Sequence, residues 1–255
     1  MTIELWLLDR VSLQHKTRVR YHWRALRGRL DRELPLARRL LRPGSIVADV
    51  GANTGLYAYA FGRSSAVEAF EPLPEPARML QALATTLPRL RVHQVALSSR
   101  AGTGTLYVPR GHDGHPLDEF ARLTPVEGAH DTAVVPVRTL DEYALQNLGL
   151  IKIDVEGHEL SVLDGARETI ARERPLLLVE IEQRHLSTSI SDTFAAIASL
   201  GYRGTFLDHH GRRHPIDAFR YERDQAPYLP NPIDARYVNN FLFIHETDMH
   251  AQALL

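Results

Sequence analysis

The stretch from Ser45 to Gly55, SIVADVGANTG, limits the folds open to this chain more than any other. An apolar run (Ile46, Val47, Ala48, Val50) carries one acid, Asp49. It gives way to a turn in which Gly51 and Gly55 stand four apart with Asn53 between them. Apolar strand, glycine turn and helix start form the first half of a nucleotide-binding βαβ unit, where missing side chains let backbone N–H groups approach a ligand. Twenty residues after Gly51 stands Glu71, at the end of a second strand-like run, Ala66-Val67-Glu68-Ala69-Phe70. That distance suits a carboxylate that accepts hydrogen bonds from ribose hydroxyls.

The chain is long enough, at 255 residues, for one domain with an added arm, and 44% hydrophobic residues supply a sizeable core. A net charge of −1 argues against whole-surface binding to nucleic acid or anionic membrane. No apolar run has the length of a membrane span, so stable membrane insertion is not expected. The N-terminal apolar patch (Ile3, Leu5 to Leu8) is interrupted by Glu4 and followed by Asp9, with no basic region before it, and does not read as a signal peptide. Cysteine is absent, which removes disulfides and thiolate chemistry and points to a cytoplasmic protein. Homo-oligomerisation stays open.

Residues 1–42 hold eleven basic against four acidic residues, and Val19, Trp23, Leu26 and Leu30 recur at helical spacing. This is a basic amphipathic arm with one apolar face, ended by Pro43-Gly44. It is either a solvated basic face packed on the core, or a lid or guide for an anionic acceptor. The expected divisions are the helical arm at 1–43, the main domain at 44–245 and a tail at 246–255.

From residue 45 strands and helices alternate. Helices are expected at Leu56 to Arg63, at Pro74 to Leu87, at His158 to Arg172, and at Asp192 to Leu200 with Ser191 as cap. Strands are expected at Val92 to Leu97, Ile151 to Val155, Pro175 to Ile181, Tyr202 to Leu207 and Tyr237 to Ile244. Two further β segments, Thr105 to Val108 and Ala133 to Val137, flank a long polar loop, Pro109 to Asp131. A loop of that length in a compact domain is either functional or mobile, and this one is expected to help form the mouth for a substrate. Its histidines, His112, His115 and His130, lack a regular metal-ligand spacing. The alternation gives an α/β sandwich with a mostly parallel seven-stranded sheet and helices on both faces.

The fourth strand departs from the pattern. Strands within a parallel sheet read apolar throughout, yet Lys152, Asp154 and Glu156 would share one face of it, and Glu180 and Glu182 one face of the next. Charges so placed are paired or face a cleft. Ligands in open α/β sheets sit at the carboxyl ends of the strands. Asp154, Glu156, His158, Glu180 and His185 are therefore expected to converge, with an ion-pair network centred on Lys152 as the alternative.

The turn D-x-G-x-N-x-G resembles motif I of the S-adenosylmethionine (SAM) methyltransferases. With it come AFEP, VALSSRAG, VRTLDEY, IKIDVEGHELSVLDGA and LLLVEIEQRH, in an order that resembles the FkbM-type SAM-dependent methyltransferases over about residues 45–186. The resemblance implies a Rossmann-like class I methyltransferase fold, SAM as donor, and O-methylation of a small hydroxylated acceptor such as a sugar, glycoconjugate or natural product. It implies that Asp49, Gly51, Asn53 and Gly55 line the methionine part of SAM, that Glu71 with Pro72 holds the ribose, and that Ala96, Leu97 and Ser98 border the adenine.

For proton removal His158 is the first candidate and Glu156 its rival. Asp154, Glu156 and Glu180 are the alternative as ligands of a divalent cation such as Mg2+. N-methyl transfer, NAD-dependent oxidoreduction and SAM binding without catalysis are competing readings. Against NAD stand the missing third glycine and the absence of a Tyr-x-x-x-Lys pair after the fourth strand.

Overall fold

The computed structural model describes residues 11–111, 114–125 and 128–254. The N-terminal apolar patch and His112 lie outside the described residues.

Nine α-helices and eleven strands are described. The helices are α1 (Leu13–Leu26), α2 (Glu33–Leu40), α3 (Leu56–Gly62), α4 (Pro74–Ala84), α5 (Glu159–Asp164), α6 (Arg167–Glu173), α7 (Ile190–Ser199), α8 (Tyr221–Asp224) and α9 (Met249–Ala253). The main sheet holds β1 (Ile46–Val50), β2 (Ala66–Phe70), β3 (Leu90–His93), β7 (Leu148–Ile153), β8 (Leu176–Glu180), β9 (Tyr202–Leu207), β10 (Arg213–Pro215) and β11 (Asn240–His245). Their order is β10-β9-β11-β8-β7-β1-β2-β3. The seven expected strands are present, and the three-residue β10 extends one edge. β3, β2, β1, β7 and β8 run parallel, while β11 is antiparallel to both β8 and β9. The chain builds outward from β1 to β3 and then returns to β7 on the other side of β1. That reversal opens a crevice at the carboxyl ends of β1 and β7.

Alternating side chains feed two cores. Ile151, Ile153, Leu177, Val179 and Phe241 face α5, α6 and α7, while Val47, Leu150, Leu178 and Leu242 face α2, α3 and α4. Lys152 belongs to the second face by alternation, and is only 1% exposed there. At about 1.5–3 kcal/mol per fully buried aliphatic side chain, these two layers are the main source of stability.

A second, three-stranded sheet, β4 (Ala96–Leu97), β6 (His130–Arg138) and β5 (Gly102–Pro109), stands beside the main one. The expected strand Val92 to Leu97 is thereby divided. β3 ends at His93 on the main sheet, and Ala96–Leu97 pairs in parallel with Val137–Arg138. The expected helix His158 to Arg172 is also divided, at Gly165-Ala166. A Cβ on Gly165 would lie 2.0 Å from the Ser98 carbonyl oxygen, so the break lets the chain pass against the end of β4. The cap of α7 is Ser189 rather than Ser191, in a reciprocal capping box with Asp192.

The arm is helical, and of its expected apolar face Leu30 packs on the core while Val19 and Trp23 are half-buried and Leu26 is not covered. Leu26 is 83% exposed, and the buried contact of α1 is Thr17, whose Oγ1 donates to the Thr54 carbonyl at 2.6 Å. Arg20 adds a bond to Thr54 Oγ1 at 2.8 Å. α1 thus packs on the glycine turn itself.

Candidate active site

The turn after β1 depends on three residues in the left-handed region, Gly51 (φ 74), Asn53 (φ 46) and Gly55 (φ 86). Asparagine tolerates this region because its short amide bonds locally, and Asn53 Oδ1 accepts the Thr54 N–H at 2.6 Å. Gly51 is required by its neighbours. Its N–H donates to the Phe70 carbonyl, and a Cβ there would stand 1.8 Å from the Asp154 carbonyl oxygen. The glycine therefore makes room for the chain leaving β7, a steric demand beyond the close ligand approach that a glycine turn suggests. Gly55 makes room for Leu80 of α4 at 2.8 Å.

Around this turn lies a cleft of about 430 Å³. That volume lies within the range of pockets that hold cofactors and drug-sized ligands. Asp49, Asn53, Glu71, Pro72, Ala96 and Leu97 line one part of it, and Asp154, Glu156, His158, Glu180 and Glu182 another. Carboxyl groups outnumber basic ones along its walls.

Glu71 is held by two backbone donors, the Asn53 N–H to Oε2 and the Leu73 N–H to Oε1, both at 2.8 Å. Burial pushes its carboxyl up to about 7, against the pull of those two donors. Each oxygen keeps a further lone pair for a ligand hydroxyl. Asp49 is 2% exposed, and its Oδ2 has no hydrogen-bond partner among the described residues. Burial raises it too to about 7, opposed by the Lys152 charge. A buried carboxylate oxygen without a partner calls for a donor from a ligand. These residues fit a cofactor that brings a cationic amine and a ribose diol. Ser98 turns its hydroxyl to His158 Nε2 at 2.8 Å.

The second part of the cleft differs from the expected charged strand face. β7 ends at Ile153, and Glu156 (φ 53) and Gly157 (φ 92) take left-handed conformations that break the alternation. Lys152 Nζ lies 3.8 Å from Asp154 Oδ2, 3.7 Å from Glu180 Oε2 and 3.4 Å from Asn240 Oδ1, with the Tyr57 ring centroid at 5.2 Å. The ion-pair network considered as the alternative is present. Desolvation pulls the Lys152 pKa down, but the charges of Asp154, Glu180 and the other nearby acids together raise it above its ordinary value. Tyr57 in turn donates to Asp31 Oδ2 of the arm at 2.5 Å.

Glu156 points elsewhere, its Oε2 lying 2.7 Å from His185 Nε2, and burial raises its pKa. His158 is the residue before α5, and desolvation lowers its pKa. The cation-ligand alternative finds no support in this geometry. Asp154 and Glu180 face an ammonium that would repel a dication, Glu156 is turned to His185, and among the described residues no three such groups could hold a metal ion.

Sequence reasoning missed Asp31, Tyr57, Phe120, Arg122 and Asn239, all lining the cleft. Tyr57 follows the glycine turn by two positions and was readable as a first-turn helix residue. The others reach the cleft through long-range contacts that carry no local pattern.

The family described as Methyltransferase FkbM domain matches residues 49–203. The chain is 32% identical over 160 residues to the 31-O-demethyl-FK506 methyltransferase FkbM of Streptomyces tacrolimicus, covering 50% of this chain and 62% of that protein. It is 27% identical over 160 residues to the 2-O-methyltransferase NoeI of Sinorhizobium fredii (strain NBRC 101917 / NGR234), covering 53% and 63%. The chain thus spans less than two thirds of the length of these relatives. The solved structure of Methyltransferase FkbM from Methylobacillus flagellatus KT superposes with a TM-score of 0.50 at 19% identity, covering 94% of this chain and 57% of that one. At that identity the likeness shows a shared fold.

Proposed function

The chain belongs to the FkbM methyltransferase family, and on that footing we propose that it transfers a methyl group from SAM to a hydroxyl of a small acceptor. One observation carries the reading. The partnerless Asp49 oxygen and the backbone-held Glu71 line the same cleft as Glu156 and His158, at the carboxyl ends of β1, β2 and β7. Both curated relatives carry an oxygen position in their names, which favours oxygen over nitrogen as the acceptor atom.

When bound, SAM supplies a sulfonium-activated methyl group. The chain's work is to align an acceptor oxygen with it and to take the proton. Glu71 would hold the ribose diol and Asp49 the amino group, while Ala96 and Leu97 cover the base. Alignment in a closed site is worth about 7–11 kcal/mol and a general base about 10²–10⁴-fold in rate.

Glu156 is the proton acceptor in this reading. Its buried carboxyl has a raised pKa, which strengthens it as a base near neutral pH. His158, whose Nε2 is engaged with Ser98, borders the donor. Lys152, Asp154 and Glu180 form the structural floor, and the basic arm is the rim through Arg20 and Arg24. The cysteine-free composition agrees with work in the cytoplasm.

Calorimetry with SAM and with NAD separately is the first test: SAM binds, and binding of NAD alone would overturn the reading. A tritiated-SAM screen over sugar, glycolipid and polyketide hydroxyls follows. Glu156→Gln should lower label transfer by about 10²-fold with SAM affinity unchanged. Unchanged transfer would remove Glu156 as the base.

A further inference from the structure

The long segment between β5 and β6 does more than edge the cleft. Its Arg122 is fixed as if it were a strand residue. Arg122 N–H donates to the Tyr107 carbonyl at 3.1 Å and Tyr107 N–H donates to the Arg122 carbonyl at 2.9 Å, an antiparallel bridge onto β5. From this anchor, the Arg122 Nη1 reaches His185 Nδ1 at 3.0 Å. A second contact joins the same two segments, the Arg184 guanidinium lying 5.9 Å from the Phe120 ring centroid. Gly157 (φ 92) lets the loop after β7 approach from the other side, since a Cβ there would stand 2.4 Å from the His185 carbonyl oxygen.

A guanidinium only donates hydrogen bonds, so the ring nitrogen facing it must be the unprotonated acceptor. In neutral His185 the proton then sits on Nε2. That nitrogen is buried, has no aligned hydrogen-bond partner, and lies 2.7 Å from Glu156 Oε2. A small ring rotation turns this contact into a donated bond, as resting sites often require. The other charged groups around the ring are Glu182, at 3.9 Å from Nε2, and Arg184, whose guanidinium is engaged by Glu182.

Resting on the assignment of Glu156 as base, we propose that Arg122 is a positioning residue for methyl transfer: by fixing the His185 tautomer it holds the Glu156 carboxylate in place as proton acceptor. The segment between β5 and β6 then contributes to the chemistry through a chain of two side chains, Arg122 to His185 to Glu156. Loss of the guanidinium frees the other tautomer, in which two acceptors, Nε2 and the carboxylate, confront each other. Glu156 then swings away or becomes protonated more readily, because the His185 contact lowers its pKa against the burial that raises it.

The test uses the full chain labelled with 15N-histidine and 13Cδ-glutamate, in wild type, Arg122→Met and Arg122→Lys, with His185→Gln and Glu156→Gln assigning the signals. Long-range 1H–15N spectra should show His185 protonated on Nε2 alone in wild type and Arg122→Lys, and in both tautomers in Arg122→Met. The Glu156 carboxyl titration should move to higher pH by about one unit in Arg122→Met. Label transfer from tritiated SAM to the hydroxyl panel should fall about tenfold in Arg122→Met and less in Arg122→Lys. An unchanged His185 tautomer and Glu156 titration in Arg122→Met would overturn the proposal, even with reduced transfer, since that loss would be merely structural. Undiminished transfer by Glu156→Gln would instead sink the base assignment, while the spectra still decide whether Arg122 sets the tautomer.

Discussion

Two glycines of nearly equal φ separate the steric role of the turn from its backbone role. Gly51 (φ 74) and Gly44 (φ 76) both occupy the left-handed region, but a Cβ on Gly44 meets nothing within 4 Å, whereas on Gly51 it would stand 1.8 Å from the Asp154 carbonyl oxygen. Gly44→Ala therefore carries only the backbone term, about 1–2 kcal/mol for a left-handed alanine, less a few tenths for the stiffer unfolded chain.

Gly51→Ala adds to this the displacement of backbone. The Asp154 carbonyl must move by more than an ångström, loosening the Asp154 N–H bond to the Val50 carbonyl now at 3.0 Å. Overpacking of this kind adds about 1–3 kcal/mol, giving a total of about 2–5 kcal/mol. Urea denaturation of both variants at one pH reads the difference. At about 2–4 °C per kcal/mol, the melting temperature of Gly51→Ala should lie several degrees below that of Gly44→Ala. SAM-dependent label transfer should survive in Gly44→Ala and fail in Gly51→Ala, because the displaced chain carries Asp154 to His158. Equal stability of the two variants would refute the claim that the β7 exit, and not the turn's own φ, demands Gly51.

Two further outcomes follow from buried charge. Lys152→Met leaves Asp154 and Glu180 facing each other without their cation and should cost about 3–5 kcal/mol by urea denaturation, of which the double variant with Glu180→Gln regains part. Burial raises Glu33 from 4.5 to about 7. The folded state therefore binds this proton more tightly than the unfolded state, and the stabilisation present below pH 4.5 is lost as pH rises through 7. Glu33→Gln should flatten that limb and leave the protein more stable at pH 8, by on the order of 1–3 kcal/mol, in chemical denaturation at a series of pH values.

What was legible in the sequence is local. The run from Ile46 to Gly55 and the spacing to Glu71 are read within one βαβ unit, and the structure puts Asp49 to Thr54 and Glu71 on the cleft wall, with Gly55 behind it against Leu80. The strand Leu148–Ile153 is legible but its end is not, because nothing in K-I-D-V-E-G shows that Glu156 takes a left-handed conformation and points its carboxylate at His185. The helix His158 to Arg172 looks continuous by periodicity, and only the tertiary approach of Gly165 to Ser98 divides it. Arg122 sits in a segment without period or motif, and its bridge to Tyr107 spans the chain between two strands. Leu26 shows the opposite failure, an apolar residue at the right helical spacing that the fold leaves in solvent, while Thr17 makes the buried contact.

β5 and β6 stay in register up to their last pair, Pro109 and His130. The intervening segment therefore leaves and rejoins the protein at adjacent points, and the entropy of closing it grows only with the logarithm of its length. For protein engineering this makes residues 110–129 an exchangeable cassette, with joints that leave the pairing of Ala96–Leu97 to Val137–Arg138 untouched. Arg122 travels with the cassette and His185 does not. A donor segment grafted here must replace the packing of Ala121 and Leu123 on the cluster that holds Leu106 and Val135 and, if Arg122 sets the His185 tautomer, bring its own hydrogen-bond donor to that imidazole.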